Sequence, residues 1–421
     1  MPKIKSLVAR EILDSRGWPT IEASILLDNG LKAKASVPGG LALGTYEAFE
    51  LRDGDKKRYQ GRGVLQALAK INEIIAPALI GFDVLKQEAI DKKLIELDGT
   101  SDKSHLGANS TLAVSLVCAR AGALSQKQEL FSYLQTVYSL TSPKIPVPFF
   151  NIFNGATHAD TNLDFQEFLL IPKKNTAAEM IREGAEIFYA LKDELQAAGY
   201  DTDTGSEGGY APNLDSSIEA IELMLAAAIR AGYNPGKDLW LGIDIGSNIL
   251  FEETTKRYIF PLDKTYFSAA NLVGLYDSWL RKYPIIYLED PLAENDWESW
   301  RNLTSEMGDK LMIAGDSLFT TNVNRLRLGI QEKAANSIVI EPNQVGTLTE
   351  AVDCVKLASK HNFKIIISQR SGETTDDFLV DFAVALGADY LKAGSLSRGE
   401  RVVKYNRLME IADILENYGK K

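Results

Sequence analysis

The sequence predicts an α/β protein in which a βα barrel (residues 139–421) follows a smaller N-terminal α+β domain (residues 1–138). Three observations carry this: a hairpin signature followed by helical patterns near the start, a proline-rich break, and a series of short apolar runs that each meet a charged residue. In the hairpin, Thr20–Ile25 and Leu31–Ala35 alternate in polarity on either side of Asp28-Asn29-Gly30. Asn-Gly between alternating runs predicts a tight turn with both central residues at positive φ. Helical patterns then cover about 62–136, including the Ala/Leu-rich stretch 107–124. Pro143, Pro146 and Pro148 interrupt both helix and central strand, so the domain boundary is placed there.

Beyond the break, Thr176 and Glu179 have capping-box spacing, and Met180, Ile187, Leu191 and Leu195 continue as one helical stripe. Apolar runs then recur at 239–245, 285–288, 311–315, 337–340, 364–367 and 389–391. Continuous apolar runs read as strands buried on both faces, hence parallel strands joined by helical crossovers. They end at Asp244, Glu289, Asp316, Glu341, Arg370 and Lys392, at intervals of 22 to 45 residues that suit successive βα units. In a βα barrel the C-terminal strand ends converge on one mouth, where sites are built.

Composition narrows the class of function. The 421 residues carry 46 basic and 57 acidic side chains, net −11, without a basic tract, which argues against a nucleic-acid partner. Cys118 and Cys354 lie in apolar stretches and read as buried, reduced thiols. No run of 18 apolar residues occurs, and Met1–Lys5 has no apolar signal core. A soluble cytoplasmic protein with no membrane partner is the expectation.

Three carboxylates at consecutive strand ends, Asp244, Glu289 and Asp316, repel one another unless a cation lies between them. Oxygen ligands without nearby His or Cys favour a hard ion such as Mg²⁺. Arg370, followed by Ser371-Gly372, suits an oxyanion, so a small anionic substrate is expected. Lys392 either neutralises a developing negative charge or merely pairs with Glu341. Glu207, in Gly205-Ser206-Glu207-Gly208-Gly209, is a candidate general acid on a loop whose glycines admit a ligand. Glu167, alternating with Phe165 and Phe168, points toward the mouth as its partner. His158, one of three histidines, sits in a loop and is either structural or catalytic.

Several segments resemble the enolase (phosphopyruvate hydratase) family over almost the whole length. They include Ala9-Arg10-Glu11-Ile12-Leu13-Asp14-Ser15-Arg16-Gly17, Glu47-Ala48-Phe49-Glu50-Leu51-Arg52-Asp53, Leu106-Gly107-Ala108-Asn109 and Gln166-Glu167-Phe168. Glu289-Asp290-Pro291-Leu292-Ala293-Glu294, Asn343-Gln344-Val345-Gly346-Thr347, Arg370-Ser371-Gly372-Glu373-Thr374 and Gly394-Ser395-Leu396-Ser397-Arg398 follow in order. The resemblance implies an enolase-type modified (β/α)8 barrel with a capping N-terminal domain, assembled as a homodimer or larger ring. It implies Mg²⁺ on Asp244, Glu289 and Asp316, and Glu207 as proton donor with Glu167 beside it. It further implies substrate contacts from His158, Gln166, Arg370, Ser371 and Lys392, and dehydration of 2-phosphoglycerate to phosphoenolpyruvate in glycolysis.

The departures from the family pattern cluster at the site. Glu341 stands where the family has its general base, a lysine. Residues 39–44 read Gly39-Gly40-Leu41-Ala42-Leu43-Gly44 instead of Ser-Gly-Ala-Ser-Thr-Gly, so Gly39 offers a second Mg²⁺ only its carbonyl. Ser206, Ala156, Gln369, Ile245-Gly246-Ser247-Asn248 and Trp18 also depart. Three readings follow: an enolase using Glu341 or water as base, a lyase for another phosphorylated or phosphonylated hydroxy acid, or a non-catalytic paralogue.

Overall fold

The structure, a computed structural model, describes residues 1–40, 44–140 and 142–418. The N-terminal domain opens with three antiparallel strands, β1 (Ile4–Leu13), β2 (Pro19–Leu27) and β3 (Lys32–Ser36), in that order across the sheet. The turn between β2 and β3 differs from the expected tight pair. Only Gly30 has positive φ, at 87°, and its N–H donates to the Leu27 carbonyl, while Leu27 N–H reaches the Leu31 carbonyl. Asn29 therefore stays at negative φ, and the loop is a longer turn closed by a left-handed glycine. The helix Ala108–Gln126 packs against β2 and β3 and is buried almost all round. Small residues permit that approach: a Cβ on Gly122 would lie 2.2 Å from the Tyr133 hydroxyl.

The second part is a closed barrel of eight strands. In chain order these are β4 (Val147–Asn154), β5 (Glu167–Pro172) and β6 (Leu239–Asp244), then, after a separate sheet of β7 (Phe251–Glu252), β8 (Arg257–Phe260) and β9 (Thr265–Phe267), the strands β10 (Ile285–Glu289), β11 (Met312–Gly315), β12 (Ser337–Ile340), β13 (Lys364–Ser368) and β14 (Tyr390–Lys392). The six apolar runs of the sequence are β6 and β10–β14. β4 and β5 were not legible as runs, and β5 is antiparallel to both its neighbours. The reason is the connection: residues 155–166 hold only the short turn Ala156–His158, too little for the helical crossover that a parallel return needs. Pro148 lies inside β4 after all, as its second residue, where a missing N–H is tolerated.

Helix starts follow the sequence. Thr176 Oγ1 accepts the Glu179 N–H at the head of Ala177–Ala198, and Met180, Ile187, Leu191 and Leu195 are buried. Ser216, Ser268, Asp296, Asn322 and Thr347 cap five further helices the same way. Phe149, Leu169, Ile171, Tyr287, Ala314, Val339 and Ile366 fill the barrel interior and form the floor beneath the strand ends. Both cysteines are free and buried, and burial raises both thiols. No helix among the described residues is long and apolar enough to cross a membrane.

Candidate active site

Strand register assembles the site. Glu167 on β5 pairs with Asp244 on β6, and Asp244 pairs with Glu289 on β10. Residues paired across neighbouring strands point to the same face, so three carboxylates stand in a row over the barrel floor. Glu289 pairs with Ala314 on β11, and Asp316 lies two residues beyond, on the same face. On the opposite wall Ser368 of β13 pairs with Lys392 of β14. A cavity of about 60 Å³ lies between them, reached by Glu47, His158, Gln166, Glu207, Glu341 and Ser371 as well. Its lining holds seven carboxylates against two full cations, Arg370 and Lys392.

Lys392 lies among the row of carboxylates. Its Nζ donates to Glu289 Oε1 and Oε2 at 2.8 and 2.7 Å and to Asp244 Oδ2 at 3.3 Å, and lies 3.4 Å from Glu167 Oε2. The sequence left open a pairing of Lys392 with Glu341; the structure gives Glu341 another partner. Arg370 donates to Glu341 Oε2 and, at 3.0 Å, to Glu47 Oε2. Ser368 Oγ donates to Glu341 Oε1 at 3.0 Å, and the Glu341 N–H to Thr321 Oγ1 at 2.9 Å. Burial holds Glu341 well above the usual carboxylate range; Arg370 opposes this, while Asp316 and Glu47 add to it.

Glu207 comes from the loop 205–209 and meets Glu167 from β5. His158 Nδ1 is 3.7 Å from one oxygen of each, and Asn151 Nδ2 donates to Glu207 at 2.9 Å. The two carboxyls are hydrogen-bonded to each other. Burial drives Glu167 far up, reinforced by Glu207 and Asp244; Glu207 is also penalised by burial, but His158, Arg401 and Lys392 bring it below its ordinary value. Glu167 thus holds a proton more tightly than Glu207, the candidate acid of the sequence. Burial lowers the His158 imidazole, and the neighbouring Glu207 opposes this. The glycines around Glu207 serve the chain rather than a ligand: a Cβ on Gly208, at φ +90°, would lie 2.8 Å from Ser397 Oγ.

The donor chemistry of the row fits a hard dication. Asp244 is pushed well up by burial and by Glu289, Glu289 is raised by burial and Asp316, and neighbouring Asp290 reaches about 8 from burial, Asp316 and Glu289. A buried set of oxygen anions short of positive charge is what such an ion relieves. Lys392 and the Gln344 amide, 2.8 Å from Asp316 Oδ1, hold the row meanwhile. His158, Glu167 and Glu207 also form a ligand-type group, with one atom of each within 4.8 Å of the others.

The Gly39 carbonyl, expected to face a second metal, is hydrogen-bonded within the chain. It accepts the Gly372 N–H at 3.0 Å and Arg16 Nη2 at 3.0 Å, so a backbone bridge and a guanidinium claim the oxygen proposed for a second metal. Ser371 lines the cavity, and its Oγ lies 3.3 Å from Arg16 Nη1. Gln166 also lines it and lies over Gly246, whose Cβ, if present, would be 2.4 Å from Gln166 Cδ. Leu41, Ala42 and Leu43 lie outside the described residues.

Residues 4–134 match the family model of the enolase N-terminal domain, and residues 142–420 that of the enolase C-terminal TIM barrel domain. The chain belongs to the enolase family. The family is of lyase type, and this chain brings the acidic row, Lys392 and Arg370 together in one cavity. Four contributors escaped the reading of the residues. Glu47 reaches in from the N-terminal domain, and its position between Tyr46 and Ala48 carries no local signal of a role. Tyr287, whose hydroxyl donates to Glu289, was hidden in an apolar run but lies two residues before Glu289, hence on the same face. Asp290 accepts the N–H groups of Asp316 and Ser317 at 3.0 and 2.8 Å. Arg401, fully buried, donates to the carbonyls of Arg370, Ser371 and Ser206 and so ties the Arg370 loop to the Glu207 loop; nothing in local sequence signals it.

Proposed function

We propose that this enolase-family chain is a Mg²⁺-dependent hydro-lyase acting on 2-phosphoglycerate or a close phosphorylated relative, in the cytoplasm and as a homo-oligomer. The observation that carries this is the joining, in one buried cavity, of a carboxylate row, a hydrogen-bonded carboxyl pair, a lysine and an arginine. Asp244, Glu289 and Asp316 would hold Mg²⁺, which when bound supplies the positive charge that acidifies the carbon beside the substrate carboxylate. Glu341 takes that carbon's proton. Its raised proton affinity makes it a stronger base than an ordinary glutamate. The electron pair of the broken C–H bond forms the double bond and expels the β-hydroxyl, which leaves as water with the proton from the Glu167–Glu207 pair. Lys392 offsets negative charge gathering on the carboxylate side. Arg370, Ser371, His158 and Gln166 bind the phosphate and fix its direction.

Glu341 in place of lysine changes the local charge by two units. At an effective dielectric of about 20, like charges 4 Å apart repel by roughly 4 kcal/mol, or about three decades in rate. The test is phosphoenolpyruvate formation from 2-phosphoglycerate with Mg²⁺, for the unmodified chain, Glu341→Gln and Glu341→Lys. Turnover by the unmodified chain that is lost in Glu341→Gln supports the reading. Turnover by Glu341→Lys alone, or by none, sinks it. The seat of Glu341 on Arg370 favours a second reading, a lyase for another phosphorylated or phosphonylated hydroxy acid. In that case 2-phosphoglycerate is not consumed but a related dianion binds saturably.

A further inference from the structure

The Glu341–Arg370 pair has a consequence for ligand choice, resting on the reading above in which Arg370 receives the substrate's oxyanion. Arg370 is buried and gives one guanidinium nitrogen to Glu341 and the other to Glu47, both themselves buried. Glu341 is braced in that seat by Ser368 Oγ and Thr321 Oγ1, and Glu47 by the Gly44 N–H at 2.7 Å. An incoming oxyanion meets a guanidinium that already serves two carboxylates. A dianion added beside both has no charge to balance it in a buried site.

We propose that Glu341 is an internal competitor for Arg370 that restricts the site to dianionic groups, phosphate or phosphonate, and that ligand binding exchanges Glu341 for the ligand on the guanidinium. A tethered carboxylate acts at an effective concentration of about millimolar or more, so a free monocarboxylate, with the same charge and the same fork geometry, does not displace it. A dianion with three acceptor oxygens does. The exchange also releases Glu341 from its cation at the moment the substrate arrives, which delivers the base uncovered to the carbon it must deprotonate. Glu47 stays, since its second anchor lies on the Gly44 backbone and not on the barrel.

The test is calorimetric titration of inorganic phosphate and of acetate into the full chain with Mg²⁺ present, for the unmodified protein, Glu341→Gln, Glu47→Gln and Glu341→Gln/Arg370→Gln, each checked for native circular dichroism. Glu341→Gln keeps size and hydrogen bonding but removes the competing charge. The expected result is phosphate binding about tenfold or more tighter in Glu341→Gln than in the unmodified chain, newly measurable acetate binding in Glu341→Gln, and loss of both in the double variant. Equal phosphate affinity with and without Glu341, tightening by Glu47→Gln alone, or tight binding that survives loss of Arg370 overturns the proposal. Phosphate binding needs no turnover, so absence of lyase activity leaves this outcome readable.

Discussion

Lys392 places its ammonium 2.8 and 2.7 Å from the two carboxylate oxygens of Glu289. The same nitrogen lies 3.3 Å from Asp244 and 3.4 Å from Glu167, all of them buried. Lys392 is thus the counter-charge of the acidic row, and its own proton is held well above the ordinary lysine range despite burial, by Glu167, Glu289 and Asp244.

Removing that counter-charge leaves buried carboxylates unpaired. Lys392→Met is expected to lose about 3–5 kcal/mol of unfolding free energy without divalent cations. A dication on the row substitutes for the ammonium, so the loss shrinks with Mg²⁺. Urea unfolding with and without Mg²⁺ reads both; a loss that Mg²⁺ leaves unchanged counts against metal binding by the row.

Mg²⁺ itself is expected to stabilise the unmodified chain, by about 2.7 kcal/mol at a concentration a hundredfold above its dissociation constant. Asp316→Asn keeps the Gln344 contact geometry but removes a charged ligand, and most of that increment goes with it. Thermal unfolding at saturating Mg²⁺ measures the effect. An Asp316→Asn increment equal to that of the unmodified chain removes Asp316 from the ligand set.

A second buried carboxylate predicts a pH dependence away from the site. Asp91, on the helix Gln87–Asp98, accepts the Thr349 N–H and hydroxyl at 3.0 and 2.6 Å and Gln87 Nε2 at 3.0 Å, docking the N-terminal domain on the barrel helix Leu348–Lys360. Burial pushes its carboxyl up to about 6 from 3.8, against the lowering effect of these donors. Because the folded value is the higher one, the folded chain binds more protons between about pH 4 and 6. Stability from this group is therefore greatest below pH 4, falls through that window as pH rises, and is flat above it. The shift corresponds to roughly 3 kcal/mol. The difference in unfolding free energy between the unmodified chain and Asp91→Asn should follow that curve; a difference constant from pH 4 to 7 contradicts it.

Two substitutions on the cavity's loops test backbone fit. Ala156 sits at φ 48°, in the left-handed region that favours glycine. Ala156→Gly is expected to gain up to about 1 kcal/mol in urea unfolding. Gly246→Ala should act in the other direction: at φ +60° and with Gln166 Cδ 2.4 Å from the new methyl, the Gln166 side chain must leave its place. The expected signature is a raised KM with little change in kcat, and an unaltered KM argues that Gln166 does not touch substrate.

Much of this architecture was legible in the chain. The six apolar runs became β6 and β10–β14, because a strand buried on both faces must be apolar throughout. Thr176 caps its helix because a hydroxyl three residues before a free N–H needs no tertiary help. The six charged strand ends all reach the cavity, since parallel strands in one barrel end on one side.

What the chain alone settles is periodicity, local caps and which strand ends carry charge, since these depend on neighbours within a few residues. Only the folded structure decides which charges meet. Glu341 faces Arg370 rather than Lys392, Glu167 and Glu207 converge on His158 Nδ1 at 3.7 Å each, and the Gly39 carbonyl accepts from Gly372 and Arg16. Each outcome turns on a hydrogen bond or a Coulomb interaction between residues far apart in sequence, whose strength depends on ångström separations and on the loss of water around them. Both are fixed by the register and closure of the barrel, not by spacing along the chain.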